Sequence, residues 1–367
     1  MGTLINEMTP TQRAIMEGLE GFKDSLQPTG ESTKQVEELF GSEEDKIVGD
    51  SFTSVTCTTT PRKSPNIPVQ VFAAGYWPEN MQKHIPEVNP LYKPDKEALY
   101  SLFVAWYMNE PCMIYGPTGS GKTSLVEYAC AITNRPYIRI NGRGDMESGP
   151  IFGQPSVEID KDTQLSVYKW NDGIVTEGIK SGAVVLFDEP FATPPEIQIG
   201  LNSLLEDDGF LVLSDKAGSY EDKIVHPHED FRMVYCDNTG GMGDMTGAHA
   251  GINVQNTSTL DRFQTVIHLD YMTKRNEVKM LQAKVPDLPD VLVNSMVQFA
   301  QLVRSNYVQG DLPLTMSPRT LISWAQKTLL LKSPQKALKM CFVRKFSDDG
   351  EIQSLKSHFM TAFGEDL

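Results

Sequence analysis

The sequence contains no apolar run approaching the roughly 20 residues that a membrane-spanning helix requires. Its first residues, MGTLINEMTPTQRAIMEGLEGF, lack the basic start and the apolar stretch of a secretory leader. Its five cysteines form no C-x-x-C pair, and such an odd, widely spaced set is typical of reduced thiols rather than of disulfides or a metal site. Together these absences predict a cytoplasmic protein without a membrane partner.

Basic residues are also scarce, because 33 Lys and Arg stand against 48 Asp and Glu, which gives a net charge of −15. This charge opposes unspecific attraction to nucleic-acid phosphates and to anionic membranes. It therefore argues against a helicase or a clamp loader, and against nucleic acid as a partner. Residues 1–50 hold eleven acidic and four basic residues, so a large part of the excess charge is concentrated there.

The 367 residues divide into four predicted regions. Residues 1–50 show helical spacing and predict a small acidic helical module, and the Thr-, Ser- and Pro-rich composition that follows predicts an extended linker over 51–84. Over 85–271, apolar strands alternate with helical patterns, which implies a parallel sheet between helices, and over 272–367 helical patterns alone predict a lid and C-terminal helices. The five predicted strands are CMIY, YIRI, AVVLFD, FRMVYC and TVIHL.

A phosphate-binding loop is predicted at GPTGSGKTS, between the strand CMIY and the helical run LVEYACAI. The glycines let consecutive backbone N–H groups turn inward around phosphate oxygens, and the following helix adds its positive N-terminus. Lys122 would reach the β and γ phosphates, and the Thr123 hydroxyl would ligate Mg²⁺. The predicted nucleotide-binding residues are Gly116, Pro117, Thr118, Gly119, Ser120, Gly121, Lys122, Thr123 and Ser124.

A second half of the site is predicted where the strand AVVLFDEP ends in Asp188 and Glu189. Asp188 can hold the Mg²⁺ shell together with Thr123, and Glu189 can activate a water molecule. These two motifs predict a nucleotide hydrolase, and they leave a metal-independent nucleotide binder and a small-molecule kinase as alternatives.

Three further residues favour hydrolysis. Asn238 follows the fourth predicted strand, where its amide can orient the attacking water. Arg262, in TLDRF, precedes the fifth strand, and Arg319, in MSPRT, begins a helix of the predicted lid. Arginine suits both positions because its planar cation pairs with charge that develops on a phosphate.

The order of these motifs resembles the AAA+ ATPases of the MoxR type, with ATP and Mg²⁺ as ligands. More narrowly, DNTGGMGDMTGAHAGINVQNTSTLDRF is similar to the segment after the water-orienting Asn in CobS subunits of aerobic cobaltochelatases, and the similarity extends over about residues 85–326. The resemblance implies an α/β AAA+ P-loop core with a C-terminal helical lid. It makes Lys122 and Thr123 the Walker A pair, Asp188 and Glu189 the Walker B pair, Asn238 sensor 1, Arg319 sensor 2 and Arg262 the arginine finger.

The resemblance also implies an assembly. An arginine finger serves the nucleotide of a neighbouring subunit, which implies a ring, and in this family the ring is a hexamer. The segment over about residues 144–178 resembles the family's β-hairpin. That hairpin is inserted in a helix and faces the pore of the ring or the client, the protein on which the ring acts.

The family works with partners, and two functions follow from it. One partner carries a von Willebrand A domain with a D-x-S-x-S motif; this sequence has none, so that partner would be a separate chain. In the chelatase, the ring supplies conformational energy to a large subunit that holds metal and tetrapyrrole. The resemblance thus implies a CobS-like chelatase subunit. A MoxR-type remodelling or assembly chaperone is the alternative, because residues 1–84 match nothing in CobS.

Overall fold

The chain forms a sheet flanked by helices and then a set of C-terminal helices, as a computed structural model shows. The acidic module predicted over residues 1–50 lies outside the described residues. The structure describes residues 52–55, for which only the backbone is given, 67–159, 165–206, 208–241 and 257–367.

The strands are short, and most of those in the central sheet are apolar. Val184 to Phe187, for example, are fully buried and consist of branched or aromatic residues that favour strands. In chain order the strands are β1 Phe52–Val55, β2 Ile67–Gln70, β3 Cys112–Tyr115, β4 Tyr137–Asn141, β5 Gly153–Ile159, β6 Ser166–Asp172, β7 Val184–Asp188, β8 Leu211–Val212, β9 Ile224–Val225, β10 Arg232–Asp237 and β11 Thr265–His268.

The helices between the strands cover the sheet, and those after β11 form a separate group. None of the helices in the described ranges is both long and apolar enough to span a bilayer. They are α1 Glu79–Gln82, α2 Lys96–Met108, α3 Lys122–Thr133, α4 Ser148–Phe152, α5 Ile174–Ser181, α6 Pro195–Asn202, α7 Tyr220–Lys223, α8 Thr257–Leu260, α9 Lys274–Lys284, α10 Asp290–Gln309, α11 Pro318–Leu331, α12 Pro334–Cys341 and α13 Asp349–Phe363.

Five strands form the central sheet in the order β11-β3-β10-β7-β4, and every neighbouring pair is parallel. This arrangement confirms the predicted five-stranded parallel sheet. Its five strands are the five that the sequence predicts. The strand order reverses around β3, because β4 follows β3 in the chain but lies at the far edge. Ligands of such sheets bind beyond the carboxyl ends of the strands at this kind of reversal.

The two faces of the sheet pack against different helices. Along β7, Val184 and Leu186 pack with α2 and α3, whereas Val185 and Phe187 pack with α5 and α6 on the opposite face. This alternation follows from the two-residue period of a strand. The sheet is therefore buried on both faces, which leaves its edge with the strand carboxyl ends available for a site.

The C-terminal helices α9 to α13, called the lid below, have an apolar core of their own. Phe359 is fully buried there, stacks on Phe363 with 4.3 Å between ring centroids, and meets Phe299 edge to face. The apolar cluster that contains these rings includes no residue of the sheet or of the helices that cover it. The lid is thus a second packing unit, joined to the sheet after β11.

The structure differs from the extended linker predicted over residues 51–84. Strand β1 pairs with β2 in an antiparallel ladder, and Phe72 and Trp77 are buried in the core. The indole N–H of Trp77 donates to Asn134 O at 2.6 Å, and the Asn134 amide donates to Phe72 O at 2.9 Å. The linker interpretation is wrong for this part, because the Thr- and Pro-rich composition ends before the apolar run that begins at Ile67.

Within residues 144–178, strands β5 and β6 form an antiparallel hairpin. Tyr168 is 85% exposed, whereas Trp170 packs against the core and its indole N–H donates to Asp172 Oδ1 at 3.0 Å. One end of the hairpin is thus held by the core while Tyr168 faces outward.

Candidate active site

The loop after β3 has the glycine geometry of a phosphate cradle. Gly116, Gly119 and Gly121 have φ angles of 150°, 79° and 100°, which residues with a side chain rarely adopt. A Cβ atom at Gly116 would lie 2.1 Å from Leu269 O, and one at Gly119 would lie 2.7 Å from Ser317 Cβ. Backbone conformation and close packing therefore both require glycine here, and the loop ends at the N-terminus of α3.

Lys122, the first residue of α3, is buried and connects this loop to Asn238, which follows β10. Its Nζ donates to Gly116 O at 2.7 Å, to Pro117 O at 3.1 Å and to Asn238 Oδ1 at 2.8 Å. Three acceptors satisfy all three protons of an ammonium group. Burial lowers the pKa of the Lys122 amine, and the nearby Asp188 and Glu189 counteract this shift.

Asp188, the last residue of β7, accepts two hydrogen bonds on one carboxylate oxygen. Thr123 Oγ1 donates to Asp188 Oδ2 at 3.1 Å, and Arg139 Nη2 donates to the same atom at 2.5 Å. Because the Thr123 hydroxyl uses its proton for Asp188, its oxygen keeps lone pairs that can ligate a cation. The pair therefore offers hard oxygen ligands of the kind that Mg²⁺ prefers.

Glu189 has an unusual backbone conformation. Its φ of 56° and ψ of 50° are left-handed, and in the described part of the chain the other such non-glycine residues, Asn109, Asn134 and Lys332, end helices. Its N–H donates to Cys236 O at 2.8 Å, and its Oε1 accepts from Asn238 Nδ2 at 3.1 Å. Strained backbone of this kind persists where the surroundings hold it, often at functional sites.

The structure thus brings together five of the predicted site residues. Lys122, Asn238 and Glu189 form one chain of hydrogen bonds, and Thr123 and Asp188 form a second pair beside it. All five lie at the carboxyl ends of β3, β7 and β10, where parallel pairing aligns the strand ends.

The two predicted arginines lie in different places. Arg262 lies in the turn before β11, where its Nε donates to Glu206 Oε1 at 2.5 Å and its Nη1 donates to Ser258 O. Arg319 is exposed in the first turn of α11, two residues after Ser317, which packs against Gly119 of the phosphate loop. Neither arginine therefore forms a hydrogen bond with the five clustered residues. Helix α11, which carries Arg319, nevertheless begins beside the phosphate loop.

Three residues of the site were not predicted from the sequence. Arg139, on β4, contacts Asp188, and Tyr271, after β11, donates from its hydroxyl to Thr118 O at 3.1 Å. Asp237 accepts from the N–H groups of Thr239 and Gly241 and so holds the loop that carries Asn238. Asp237 could have been predicted from the sequence, because it ends an apolar strand in the same way as Asp188.

The polar groups that remain fit a polyphosphate ligand. Ser120 Oγ is buried and has no hydrogen-bond partner among the described residues. A buried hydroxyl without a partner is costly, and a phosphate oxygen would supply one. The glycine loop, the Lys122 ammonium and the N-terminus of α3 provide the positive potential that such a ligand requires.

Two family models match the chain. Residues 111–249 match the AAA domain of the dynein-related subfamily, and residues 277–362 match the CbbQ/NirQ/NorQ C-terminal model. The first range contains the phosphate loop and the two polar strand ends, and the second contains most of the lid. The matches therefore join a nucleotide-binding core to a specific type of lid.

The chain is also similar to individual proteins. The aerobic cobaltochelatase subunit CobS of Sinorhizobium sp is 30% identical over 288 residues, which cover 77% of this chain and 84% of CobS. The gas vesicle ATPase GvpN of Haloferax mediterranei is 24% identical over 237 residues, 61% of this chain and 65% of GvpN. The RuvB branch migration motor of Thermotoga maritima, a solved structure, aligns at 14% identity with a TM-score of 0.42 and covers 75% of this chain and 72% of its own. The chain belongs to the AAA+ ATPases of the MoxR type, in the family of the cobaltochelatase subunit CobS.

Proposed function

We propose that this chain is a Mg²⁺-dependent ATPase in which Glu189 is the general base. The observation that carries the proposal is the hydrogen-bonded chain from Lys122 through Asn238 to Glu189, because it connects a phosphate-binding cation to a carboxylate. Asp188 and Thr123 lie beside this chain and offer the oxygen ligands for the metal.

Each residue then has one role. The glycine loop and Lys122 bind the phosphates, and Glu189 accepts a proton from the water that Asn238 orients through its amide. Thr123 and Asp188 would hold Mg²⁺, which supplies charge neutralisation at the phosphates. Arg319, at the start of α11, stabilises phosphate charge from the lid side.

The substitution Glu189→Gln tests this assignment. It preserves the size and the hydrogen bond to Asn238 but removes the base, so the rate of ATP hydrolysis should fall at least about 100-fold while ATP still binds. Steady-state phosphate release and equilibrium binding of a fluorescent ATP analogue measure the two quantities. Glu196→Gln, an exposed position on α6, is the matched control and should keep the wild-type rate. Hydrolysis by Glu189→Gln within twofold of wild type would show that Glu189 is not the base.

We further propose that the chain works as a ring, a hexamer by analogy with its family, in which Arg262 completes the site of the neighbouring subunit. Two observations support this arrangement. Arg262 is 29% exposed at its side chain and pairs with an exposed glutamate of its own chain, and it makes no hydrogen bond to the five clustered residues. We therefore assign Arg262 to the site of a neighbouring subunit rather than to the site of its own chain.

Mixing two inactive variants tests the shared site. Arg262→Ala subunits keep Lys122, and Lys122→Ala subunits keep Arg262, so neighbours in the right order form complete sites. Equal mixing should restore roughly one quarter of the wild-type ATPase rate, because each site needs one subunit of each kind in a fixed order. The control replaces the Lys122→Ala partner with the Lys122→Ala/Arg262→Ala double variant, which should restore nothing. Absence of rescue in the first mixture at every ratio would contradict a finger acting between subunits.

For the client, we propose a role like that of CobS, in which the ring transmits conformational energy to a chelatase large subunit. The 30% identity across most of both chains supports it. A remodelling chaperone that acts with a von Willebrand A partner is the alternative. ATPase measurements distinguish the two roles. In the chelatase role, a chelatase large subunit together with tetrapyrrole should raise the ATPase rate. In the chaperone role, a von Willebrand A protein should raise the rate in the absence of the large subunit and of tetrapyrrole.

A further inference from the structure

Tyr271 lies in the hinge between β11 and α9, where the sheet ends and the lid begins. Its hydroxyl donates to Thr118 O in the phosphate loop at 3.1 Å, and it lies 3.3 Å from Thr315 Oγ1 in the lid. Burial raises the pKa of the Tyr271 phenol, so the hydroxyl keeps its proton and can donate. One side chain therefore contacts both the phosphate loop and the segment that precedes α11.

The hydrogen bond at Thr118 O determines which way the next N–H group points. In a trans peptide the C=O and the following N–H point in opposite directions, so the Gly119 N–H faces away from Tyr271. On the same peptide, Ser317 packs so closely against Gly119 that no side chain fits there. Tyr271 and the lid residue Ser317 thus contact the Thr118–Gly119 peptide at two points, and together they restrict its orientation.

Tyr271 is itself held from the lid. The Arg304 guanidinium lies 4.1 Å from the centre of the Tyr271 ring, a distance typical of a cation–π contact. Arg304 also forms two hydrogen bonds, of 2.8 and 2.7 Å, with the fully buried Glu277 of α9, and its Nε donates to Met316 O at 2.7 Å. Paired, two-pronged contacts of this kind fix geometry as well as charge. Arg304 therefore joins the Tyr271 ring, α9 and Met316, which lies two residues before the first residue of α11.

We propose that Tyr271 is a positioning residue that couples the lid to the phosphate loop. Its hydroxyl holds the Thr118–Gly119 peptide with the N–H turned toward the phosphate side, and Arg304 with Glu277 holds the Tyr271 ring in place. This inference rests on the proposed function, since it assigns a residue that prepares the same loop for nucleotide.

Tyr271→Phe tests the coupling, because it keeps the ring under Arg304 and removes only the hydroxyl. We expect the Kd for a fluorescent ATP analogue and the KM for ATP to rise roughly three- to tenfold, as for the loss of one hydrogen bond, with kcat within twofold of wild type. The thermal midpoint measured by circular dichroism should stay within about 2 °C, because the packing of the ring is unchanged. A purely structural role would lower the thermal midpoint instead of splitting KM from kcat.

Thr315→Val is the matched control, since it removes the other neighbour of the same hydroxyl and leaves the bond to Thr118 O. It should keep Kd and KM within twofold of wild type. Wild-type affinity in Tyr271→Phe, or an equal loss in Thr315→Val, would overturn the proposed coupling. Failure of the wild-type protein itself to bind the ATP analogue would instead overturn the proposed function, so the two failures are distinguishable.

Discussion

Arg139 sets the electrostatic surroundings of Asp188. Its guanidinium donates to the carboxylate oxygen that also accepts from Thr123, and its side chain is 46% exposed. A cation at this position orients the carboxylate but also repels a divalent metal. Because nearly half of the Arg139 side chain is exposed, solvent screens its repulsion of a bound cation, and we expect a contribution of roughly 1 kcal/mol, as for exposed charge pairs.

We expect Arg139→Met to lower the free Mg²⁺ concentration at half-maximal ATP turnover by at least about threefold, because the repulsive charge is removed. Arg139→Lys keeps the charge and should stay near wild type. Arg143→Met, at an exposed arginine beyond the end of β4, controls for the loss of a surface charge. A Mg²⁺ titration in which Arg139→Met needs more metal than wild type would show that orientation of Asp188 matters more than repulsion.

Some site residues could be predicted from the sequence, and others could not. Asp188 and Asn238 follow apolar strands, and parallel pairing necessarily brings such strand ends together. The contacts of Arg139 and Tyr271 depend on side-chain conformation and on how the lid packs, neither of which a local pattern specifies. The left-handed backbone of Glu189 likewise accompanies a long-range contact, the hydrogen bond from its N–H to Cys236 O of β10.

At the scale of elements, the five predicted strands are confirmed because apolar runs bounded by polar residues are strong local signals. Their order in the sheet depends on long-range pairing and could not be derived from those runs. The linker prediction over residues 51–84 is wrong for the described parts, 52–55 and 67–84. There β2 pairs with β1, and Phe72 packs in the core beside the sheet. The Thr- and Pro-rich composition does not reveal these long-range contacts.

The start of α11 shows the opposite case, where local signals were sufficient. Ser317 caps the helix by accepting from the N–H of Thr320, and Pro318 takes the first turn, as the sequence S-P-R-T favours. The cap fixes Arg319 in the first turn beside the phosphate loop. Its assigned role as sensor 2 stays a prediction.

For the whole molecule, the separate apolar cores of the sheet and the lid predict two cooperative units. Phe187 lies in the first core and Phe359 in the second, and both are fully buried. Each Phe→Ala change should lower the free energy of unfolding of the unit that contains it by about 3–5 kcal/mol. In calorimetry we expect two transitions, with Phe359→Ala lowering only the one assigned to the lid and Phe187→Ala lowering only the other. A single transition that both variants shift equally would show that the two cores unfold together.

We expect the separately packed lid to act as a lever about the segment between β11 and α9. The longest lid helix has 20 residues and is therefore about 30 Å long, at 1.5 Å per residue. A rotation of roughly 10° at the hinge would then displace the far end of such an arm by about 5 Å, close to the pitch of one helical turn. The hydroxyl of Tyr271 contacts the phosphate loop at the pivot of this lever. Movement of a single peptide at the nucleotide would therefore be amplified into a stroke large enough for a partner to follow.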